Sequence, residues 1–522
     1  ELPCFHDMEV TATAIKFYLN LKLTHSHFPP RSLAEMLGKH ITLPLDRPEY
    51  IGLNEVFISS LAWRISTVKV EDKDWPGKGI GLVYDSSAPR PETIKTFGKD
   101  VRESEEWKNN LKSNGLETFG EDIPLSAIAE SFRGAESKKG FNNSLVPLTP
   151  SLALCQNNIG ALRRLRPPNV GNIIEQIYAL GRTEDTAQDE KSAAGQWHNA
   201  MERILQRDSF LKVIDKSVQD TIFPKDHTFE VNPELSSQSL LASGEIPTGF
   251  GENTPFGWFR ESWDLITSDD WVDSLPARRW VDWCLTILRS AYAFSTLWEM
   301  FWYDAIATSL RESAESDITI TQRSLMDKLA QGPALLDWVD RTKPISLRSV
   351  TIATRKRIIR GNSIRKALTE YLNENPELKE VSADELFQEL KGNEHHRDQI
   401  IKSRNIENKD MGGAEKNLWE SVGYALRLRQ DTGPYADHYS LLNNKESRNF
   451  SVVDPATEWV AVMSSISCKS AGSQTTLGDF LIDLGRLGLR PSKTELLFHL
   501  ERAGLAKSSA DADLAIEISS AY

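Results

Sequence analysis

The sequence predicts a mainly α-helical, multidomain protein, and three observations support this fold class. The chain has 522 residues, enough for roughly two to four domains with sizeable cores. Apolar residues recur at steps of three and four along several segments, which is the period of a helix. Strand-like runs stand out near the start of the chain. We therefore expect a small mixed α/β region over 1–150, a helical core domain over 151–373 and a helical C-terminal domain over 374–522.

Composition and charge exclude several classes of protein. Apolar residues make up 40% of the chain and charged residues 26%, as in ordinary soluble proteins. A net charge of −13 argues against a general nucleic-acid coat or a membrane-surface protein, both of which are usually basic. The apolar segments are interrupted by charges well short of the ~20 residues that a membrane-spanning helix needs. We expect no membrane partner.

The cysteines and the first residues of the sequence give an expectation of where in the cell the protein is located. Cys4, Cys155, Cys284 and Cys468 are far apart, a usage typical of a reducing compartment, so we expect a cytoplasmic protein. The first residues carry acids where a signal peptide would be basic, and no signal peptide is expected. Because the sequence does not begin with Met, a trimmed start and a removed leader remain open.

The N-terminal region combines both kinds of secondary structure. A helix is predicted at 9–23, and apolar runs rich in β-branched residues predict strands at 55–63, 65–70 and 80–84. Gly, Pro and Asp between these runs are typical of turns. The expected product is a small sheet. Helices then follow over much of 151–222, and 225–257 is predicted to be a long loop.

The segment 271–311 forms the centre of the predicted core. Its apolar positions follow one helical stripe, and together with the residues just before it the segment holds seven of the 14 tryptophans. These are Trp258, Trp263, Trp271, Trp280, Trp283, Trp298 and Trp302. Pro276 suits a first helical turn, and Ser274 is a candidate cap. A helix with so much aromatic surface is expected to be buried along most of its length.

One stretch, 341–366, is strongly basic. It holds nine Lys or Arg residues and no Asp or Glu. A helix is predicted over 352–368, with Ile358, Ile359 and Ile364 inward and the cations outward. Cations that bind phosphates release counterions and give affinity for nucleic acid. The predicted phosphate contacts are Arg348, Arg355, Lys356, Arg357, Arg360, Arg365 and Lys366. An acidic protein partner, or acids of this chain such as those at 103–107, would explain the same cations.

The C-terminal block predicts three short helices that resemble a helix-turn-helix. Thr475 or Thr476 can cap the first, and Ser492 with Glu495 forms a capping box for the second. A third is predicted from Ser508 through 516. Between 475 and 522 there are seven acidic against five basic side chains, so we expect this unit to dock a protein and not DNA.

Two short patterns could carry metal chemistry. Cys4, His6, His25 and His27 have ligand types that bind zinc, although no paired C-x-x-C motif accompanies them. Separately, Asp46 followed by Glu71 and Lys73 is similar to a metal-dependent nuclease pattern, in which two carboxylates hold Mg²⁺ and the lysine polarises water. Both patterns are short enough to arise by chance. We expect no catalytic residue, no metal site and no cofactor.

The segments 278–291 and 475–522 resemble accessory subunits encoded in bacterial anti-phage defence islands. The resemblance implies a non-catalytic partner of a helicase, an ATPase or a nuclease, and it carries no functional residues. With the basic stretch, it predicts a scaffold or adaptor subunit of a bacterial DNA-handling complex that contacts nucleic-acid phosphates. The alternatives are a metal-dependent nuclease and a purely protein-binding module.

Overall fold

A computed structural model describes most of the core of this chain. The described residues are 45–48, 56–62, 66–67, 105, 109, 112–113, 149–151, 170–183, 186, 191–222, 228–229, 253–315, 334–379, 381, 383–405, 413–428, 438–445, 450–506 and 516–522. They are mainly helical, as the sequence predicts. The strands among them pair as three antiparallel two-stranded ribbons. No helix among these residues is long and apolar enough to cross a membrane.

The helices and strands are numbered here in chain order. The first half contains α1 (Val56–Ala62), β1 (Ser66–Thr67), α2 (Val170–Leu180), α3 (Ala193–Arg207), α4 (Ser209–Ile222), β2 (Thr228–Phe229), α5 (Pro255–Ile266), α6 (Asp269–Ser274) and α7 (Ala277–Glu315). The second half contains α8 (Ile345–Arg348), α9 (Thr351–Glu374), α10 (Ala383–Gly392), α11 (Glu394–Lys402), α12 (Gly413–Leu426), β3 (Leu442–Asn444), β4 (Ser451–Val453), α13 (Thr457–Ser467), β5 (Gln474–Thr476), α14 (Leu477–Arg486), α15 (Lys493–Arg502) and β6 (Glu517–Ser519). Short 3-10 turns lie at Pro376–Lys379 and Ser403–Asn405.

Helix α7 is the centre of the fold. It has 39 residues and is therefore about 58 Å long at 1.5 Å per residue. Helices α1, α2, α5, α9, α12 and α13 all pack against it. The predicted burial is confirmed: all seven tryptophans of this region are buried, with Trp283 fully inaccessible and Trp298 8% exposed. The apolar stripe thus supplies the core that the surrounding helices share.

The start of α7 differs in one detail from the prediction. Pro276 directly precedes the helix, and its carbonyl accepts the backbone N–H of Trp280. Ser274 is not the cap, because it ends α6 and its hydroxyl donates to the carbonyl of Asp270 at 2.8 Å. The hydroxyl of Ser274 therefore forms its hydrogen bond within α6 and does not cap α7.

Helix α9 crosses α7 at very short range, and a glycine makes this possible. A Cβ atom built on Gly361 would lie 2.6 Å from the Cα of Met300 and 2.7 Å from its carbonyl oxygen. Real Cβ atoms do not approach backbone so closely, so only glycine fits at this crossing. The fit fixes where along α7 the helix α9 lies.

Buried polar side chains of α7 hold the helix to its neighbours. Arg289 donates from Nε to the carbonyl of Ala425 at 2.7 Å, near the C-terminal end of α12, where helix carbonyls need donors. The carboxylate of Glu299, also buried, accepts two hydrogen bonds from Arg47, at 2.7 and 3.2 Å. The residues around 47 are thereby fastened to the middle of the core.

The N-terminal region departs from the prediction at 55–63. This run is not a strand: its residues 56–62 form α1, whose Phe57, Ile58 and Leu61 are fully buried. Their spacing of one and three fits a helix face, and α1 packs on α2 and α7. The strand predicted at 65–70 is confirmed for Ser66–Thr67, which pairs with Thr228–Phe229. The predicted helix at 9–23 and strand at 80–84 lie outside the described residues.

At the C-terminal end, the first two predicted helices are confirmed with their caps. The hydroxyl of Thr476 accepts from the N–H of Asp479, and that of Ser492 from the N–H of Glu495. The third predicted helix is not observed where it can be checked. Ile516 is not helical, and Glu517–Ser519 forms a strand that pairs with Gln474–Thr476. Residues 508–515 of that prediction lie outside the described residues.

Candidate nucleic-acid interface

The basic stretch 341–366 forms the turn of α8 and most of α9. The predicted helix is confirmed, and it extends from Thr351 to Glu374. Ile358, Ile359 and Ile364 are buried as expected, at 1% exposure or less. The cations are divided between the interior and the surface, and this division defines the candidate site.

Three cations of the stretch are engaged by other groups of the protein: Arg357 and Arg365 face inward, and Arg341 is paired at the surface. Arg357 donates from its guanidinium to the backbone carbonyls of residues 334 and 335, and burial lowers its pKa. Arg365 lies 3.8 Å from the buried carboxylate of Glu299. Arg341 donates to Glu495 and lies over the ring of Phe498 at 3.3 Å. Two of the seven predicted phosphate contacts, Arg357 and Arg365, therefore hold the fold together, because their guanidiniums face inward.

Five predicted contacts remain at the surface: Arg348, Arg355, Lys356, Arg360 and Lys366. Lys356 and Lys366 are exposed, and the three arginines are half-buried. None of the five forms an ion pair with another residue that the structure describes. Arg348 ends α8, and the other four lie on α9 at steps of one, four and six residues. At 100° per residue these four spread over about 140° of the circumference, on the side that is largely opposite the buried face. The result is one row of unneutralised cations.

The N-terminal half of α9 is the more positive end of this row. No acidic residue occupies the first turn of the helix, and no side chain caps it. The helix dipole therefore adds a positive partial charge at the end where Arg355 and Lys356 lie. Glu370 and Glu374, on the last turns, end the basic face. We name the surface of α8 and α9 from 347 to 366 the basic face.

Arg427, at the end of α12, adds a cation that the sequence did not indicate. Its guanidinium lies 5.2 Å from the ring centroid of Trp419. The pKa of Arg427 is lowered, first by burial and also by the nearby charge of Arg355, while Tyr424 and Glu420 act in the opposite direction. Two arginines that are 72 residues apart in sequence are thus close enough to repel each other. No local pattern could have paired them.

Three large apolar side chains are exposed beside these cations. Leu347 is 67% exposed, Ile352 58% and Phe450 36%. Leu347 and Ile352 flank the turn between α8 and α9. Phe450 belongs to the same surface because β4, which begins at the next residue, is hydrogen-bonded to that turn. The sequence indicated none of the three residues, since isolated apolar side chains are common on protein surfaces.

Backbone hydrogen bonds fix Phe450 at this position. The N–H of Val350 donates to the carbonyl of Ser451 at 2.9 Å, and the N–H of Ser451 donates to the hydroxyl of Thr351 at 3.0 Å. A bridge also joins Ser349 to Val452. Residues 349–351 and 451–452 are therefore neighbours, which places the backbone of Phe450 near the turn that Leu347 and Ile352 flank. The signal that could have found this contact is long-range pairing, which a single sequence does not show.

The two metal patterns are largely outside the described residues. Asp46 is exposed, and its backbone N–H donates to Gln176 Oε1 at 2.9 Å. Glu71 and Lys73 of the nuclease pattern are not among the described residues, nor are Cys4, His6, His25 and His27 of the zinc pattern. In the described part of the chain, no group of three or more His, Cys, Asp or Glu side chains could hold a metal ion. The described residues therefore test neither pattern.

Comparisons of the chain with protein-family models, with curated proteins and with solved structures gave no match. The interpretation of the basic face therefore depends on its own residues. Its unpaired cations can bind anionic oxygens, and its exposed apolar side chains can contact flat or aliphatic groups.

Proposed function

We propose that this protein is a non-catalytic scaffold or adaptor subunit that contacts nucleic-acid phosphates through the basic face. The proposed contacts are Arg348, Arg355, Lys356, Arg360 and Lys366. Arg357 and Arg365 are left out because both are engaged inside the protein. The proposal names no catalytic residue. Its proposed setting is a bacterial anti-phage defence complex in which a helicase, ATPase or nuclease subunit supplies the chemistry.

The observation that carries the proposal is the row of unneutralised cations in an acidic chain. The chain has 74 acidic residues against 61 basic ones, so a stretch of nine cations without a single acid is unusual in it. Other arginines do pair with acids: Arg203 with Asp273, Arg404 with Asp304 and Arg486 with Glu261. Along the basic face, no such pair forms among the described residues. Cations kept together despite their mutual repulsion are typical of a site for an anionic ligand.

The test is binding to duplex DNA over a range of salt concentrations. The parent is compared with a variant in which Arg355, Lys356, Arg360 and Lys366 are all alanine. For duplex DNA the slope of log affinity against log salt is about −0.9 per phosphate contact, so the variant should lose up to about 3.6 units of slope. The affinity should fall for every DNA sequence alike, because phosphate contacts carry no base information.

A matched control removes the same number of charges elsewhere. It replaces four exposed cations on other helices with alanine: Lys212, Lys216, Arg278 and Arg502. The control should keep the affinity and the slope of the parent. If both variants behave alike, or if the basic-face variant keeps the parental slope, the proposal is wrong. Strong, salt-sensitive binding of a polyglutamate peptide without DNA binding would show that the face takes an acidic protein.

A further inference from the structure

We infer that the basic face is built for single-stranded nucleic acid, with unstacked bases packed against Phe450, Ile352 and Leu347. This inference rests on the proposed function, because it assumes that the cations of the face bind phosphates. Beyond the proposed function, it specifies the class of nucleic acid that binds to the face. Two features of the surface carry it: the kind of side chain that is exposed, and the position of these side chains next to the cations.

The apolar side chains are the first feature. The outside of a duplex presents phosphates and sugars, while its bases are stacked inside and accessible only in the grooves. Apolar side chains placed beside phosphate-binding cations would gain little against such a surface. A single strand offers both phosphates and free base faces. Proteins that bind single strands accordingly combine a positive surface with aromatic side chains on which bases stack.

The position of these side chains among the cations is the second feature. Ile352 lies one turn, or ~5 Å, before Arg355 and Lys356 on α9, and Leu347 directly precedes Arg348. The hydrogen bonds between 350–351 and 451 hold the backbone of Phe450 near the same turn. Apolar and cationic groups therefore occur together at the N-terminal end of α9, which suits a ligand that presents charged and flat groups close to each other.

The length of the face suits an extended ligand. From Ile352 to Lys366, α9 rises about 21 Å. Arg360 and Lys366 continue the row of cations beyond the apolar group, and no acidic residue interrupts it before Glu370. A strand whose bases lie on Phe450 and Ile352 can therefore follow the helix with its phosphates towards Lys366.

The test separates base contacts from phosphate contacts. Binding to oligo-dT is compared with binding to an abasic oligonucleotide of the same length, which carries the same phosphates without bases. The parent should prefer oligo-dT. The Phe450→Ala variant should bind oligo-dT at least about five-fold more weakly, as expected for the loss of one stacked base, and should bind the abasic strand as the parent does. Its salt slope should be unchanged, since no cation is removed.

Two further variants complete the design. Phe450→Tyr keeps the ring and should keep the preference for oligo-dT, whereas Ile352→Ser should reduce it. Equal affinity of the parent for oligo-dT and the abasic strand, or no loss in Phe450→Ala, would overturn the single-strand inference and leave the phosphate contacts in place. If replacing the four cations of α9 leaves binding and slope unchanged, the proposed function fails, and this inference fails with it.

Discussion

At the scale of single residues, the tryptophans carry most of the core. Trp283 is fully buried, 5.5 Å from the ring of Trp271 and 5.7 Å from that of Tyr522. Replacing it with alanine should lower the free energy of unfolding by about 3–5 kcal/mol, because both transfer energy and packing are lost. Urea unfolding of the parent and variant measures this difference.

Phenylalanine at position 283 is the matched control for this prediction. The indole Nε1 of Trp283 is buried and has no hydrogen-bond partner among the described residues, so Trp283→Phe removes an unsatisfied donor while keeping an aromatic ring. It should cost clearly less than alanine. Equal stability of the alanine variant and the parent would mean that the ring does not support the core.

His499 predicts a dependence of stability on pH. Its ring is 3% exposed and lies 3.3 Å from the carboxylate of Glu495. Burial lowers the pKa of His499 and outweighs the charges of Glu495 and Asp454, which favour its protonation. The unfolded chain therefore binds this proton more readily than the folded one. The free energy of unfolding should fall as the pH drops below about 6.5 towards the lower pKa of the folded state.

A His499→Gln variant isolates this effect from the other titrating groups. Glutamine cannot take up the proton but can still donate to Glu495. Between pH 7.5 and pH 5.5, the variant should therefore lose less stability than the parent, as measured by urea unfolding at each pH. An identical loss in both proteins would contradict the prediction.

The burial of a residue was predictable from the sequence where its side chain is large and apolar. The hydrogen-bond and ion-pair partners of a residue were not. Tryptophans at helical spacing indicate burial by themselves, which is why Trp283 and Trp298 were predicted correctly. Glu495 was predicted as half of a capping box, and its N–H does bond to Ser492. Its carboxylate, however, is buried beneath Arg341 and His499. That second role depends on residues brought in from a distance, which the local pattern does not contain.

At the scale of elements, the contact between α7 and α9 depends on one missing side chain. Gly361→Ala places a methyl group against the backbone of Met300, where nothing flexible can move aside. The two helices must separate, and overpacking of this kind costs about 1–3 kcal/mol. The free energy of unfolding should fall by that amount.

Gly392, the last residue of α10, provides the comparison. A Cβ atom there meets no other atom within 4 Å. Gly392→Ala should therefore be neutral, or stabilise the protein by up to about 1 kcal/mol through the loss of unfolded-state freedom. Thermal or urea unfolding should find Gly361→Ala less stable than the parent and Gly392→Ala at least as stable as the parent. Destabilisation by Gly392→Ala equal to that of Gly361→Ala would contradict this explanation.

Long helices were easier to predict than short apolar runs. The spacing in 271–311 extends over many turns and could fit only a helix. The run 55–63 is short and rich in β-branched and aromatic residues, so local preference favoured a strand. Packing of Phe57, Ile58 and Leu61 on the core favours a helix instead, and tertiary contacts prevail over such weak preferences.

At the scale of the whole molecule, the buried apolar side chains form one continuous cluster from Leu45 to Ile518. The mainly helical class followed from periodicity alone. The contacts between distant segments did not follow from it: β1 with β2, residues 349–351 with β4, and α9 with α12. The division at 150 and 373 stays a prediction. The cations of the basic face were therefore predictable from local composition. Its exposed apolar side chains were not predictable from the sequence.

The pairing of Arg47 with Glu299 has a consequence for how the protein is made. The two residues are 252 positions apart, so at about 5–20 residues per second a ribosome adds Glu299 roughly 10–50 seconds after Arg47. Asn362, which also accepts from Arg47, comes later still. Through this interval the early arginine cannot reach its final place. The side chain of Arg47 therefore cannot form these bonds until the helix that carries Glu299 has been synthesised.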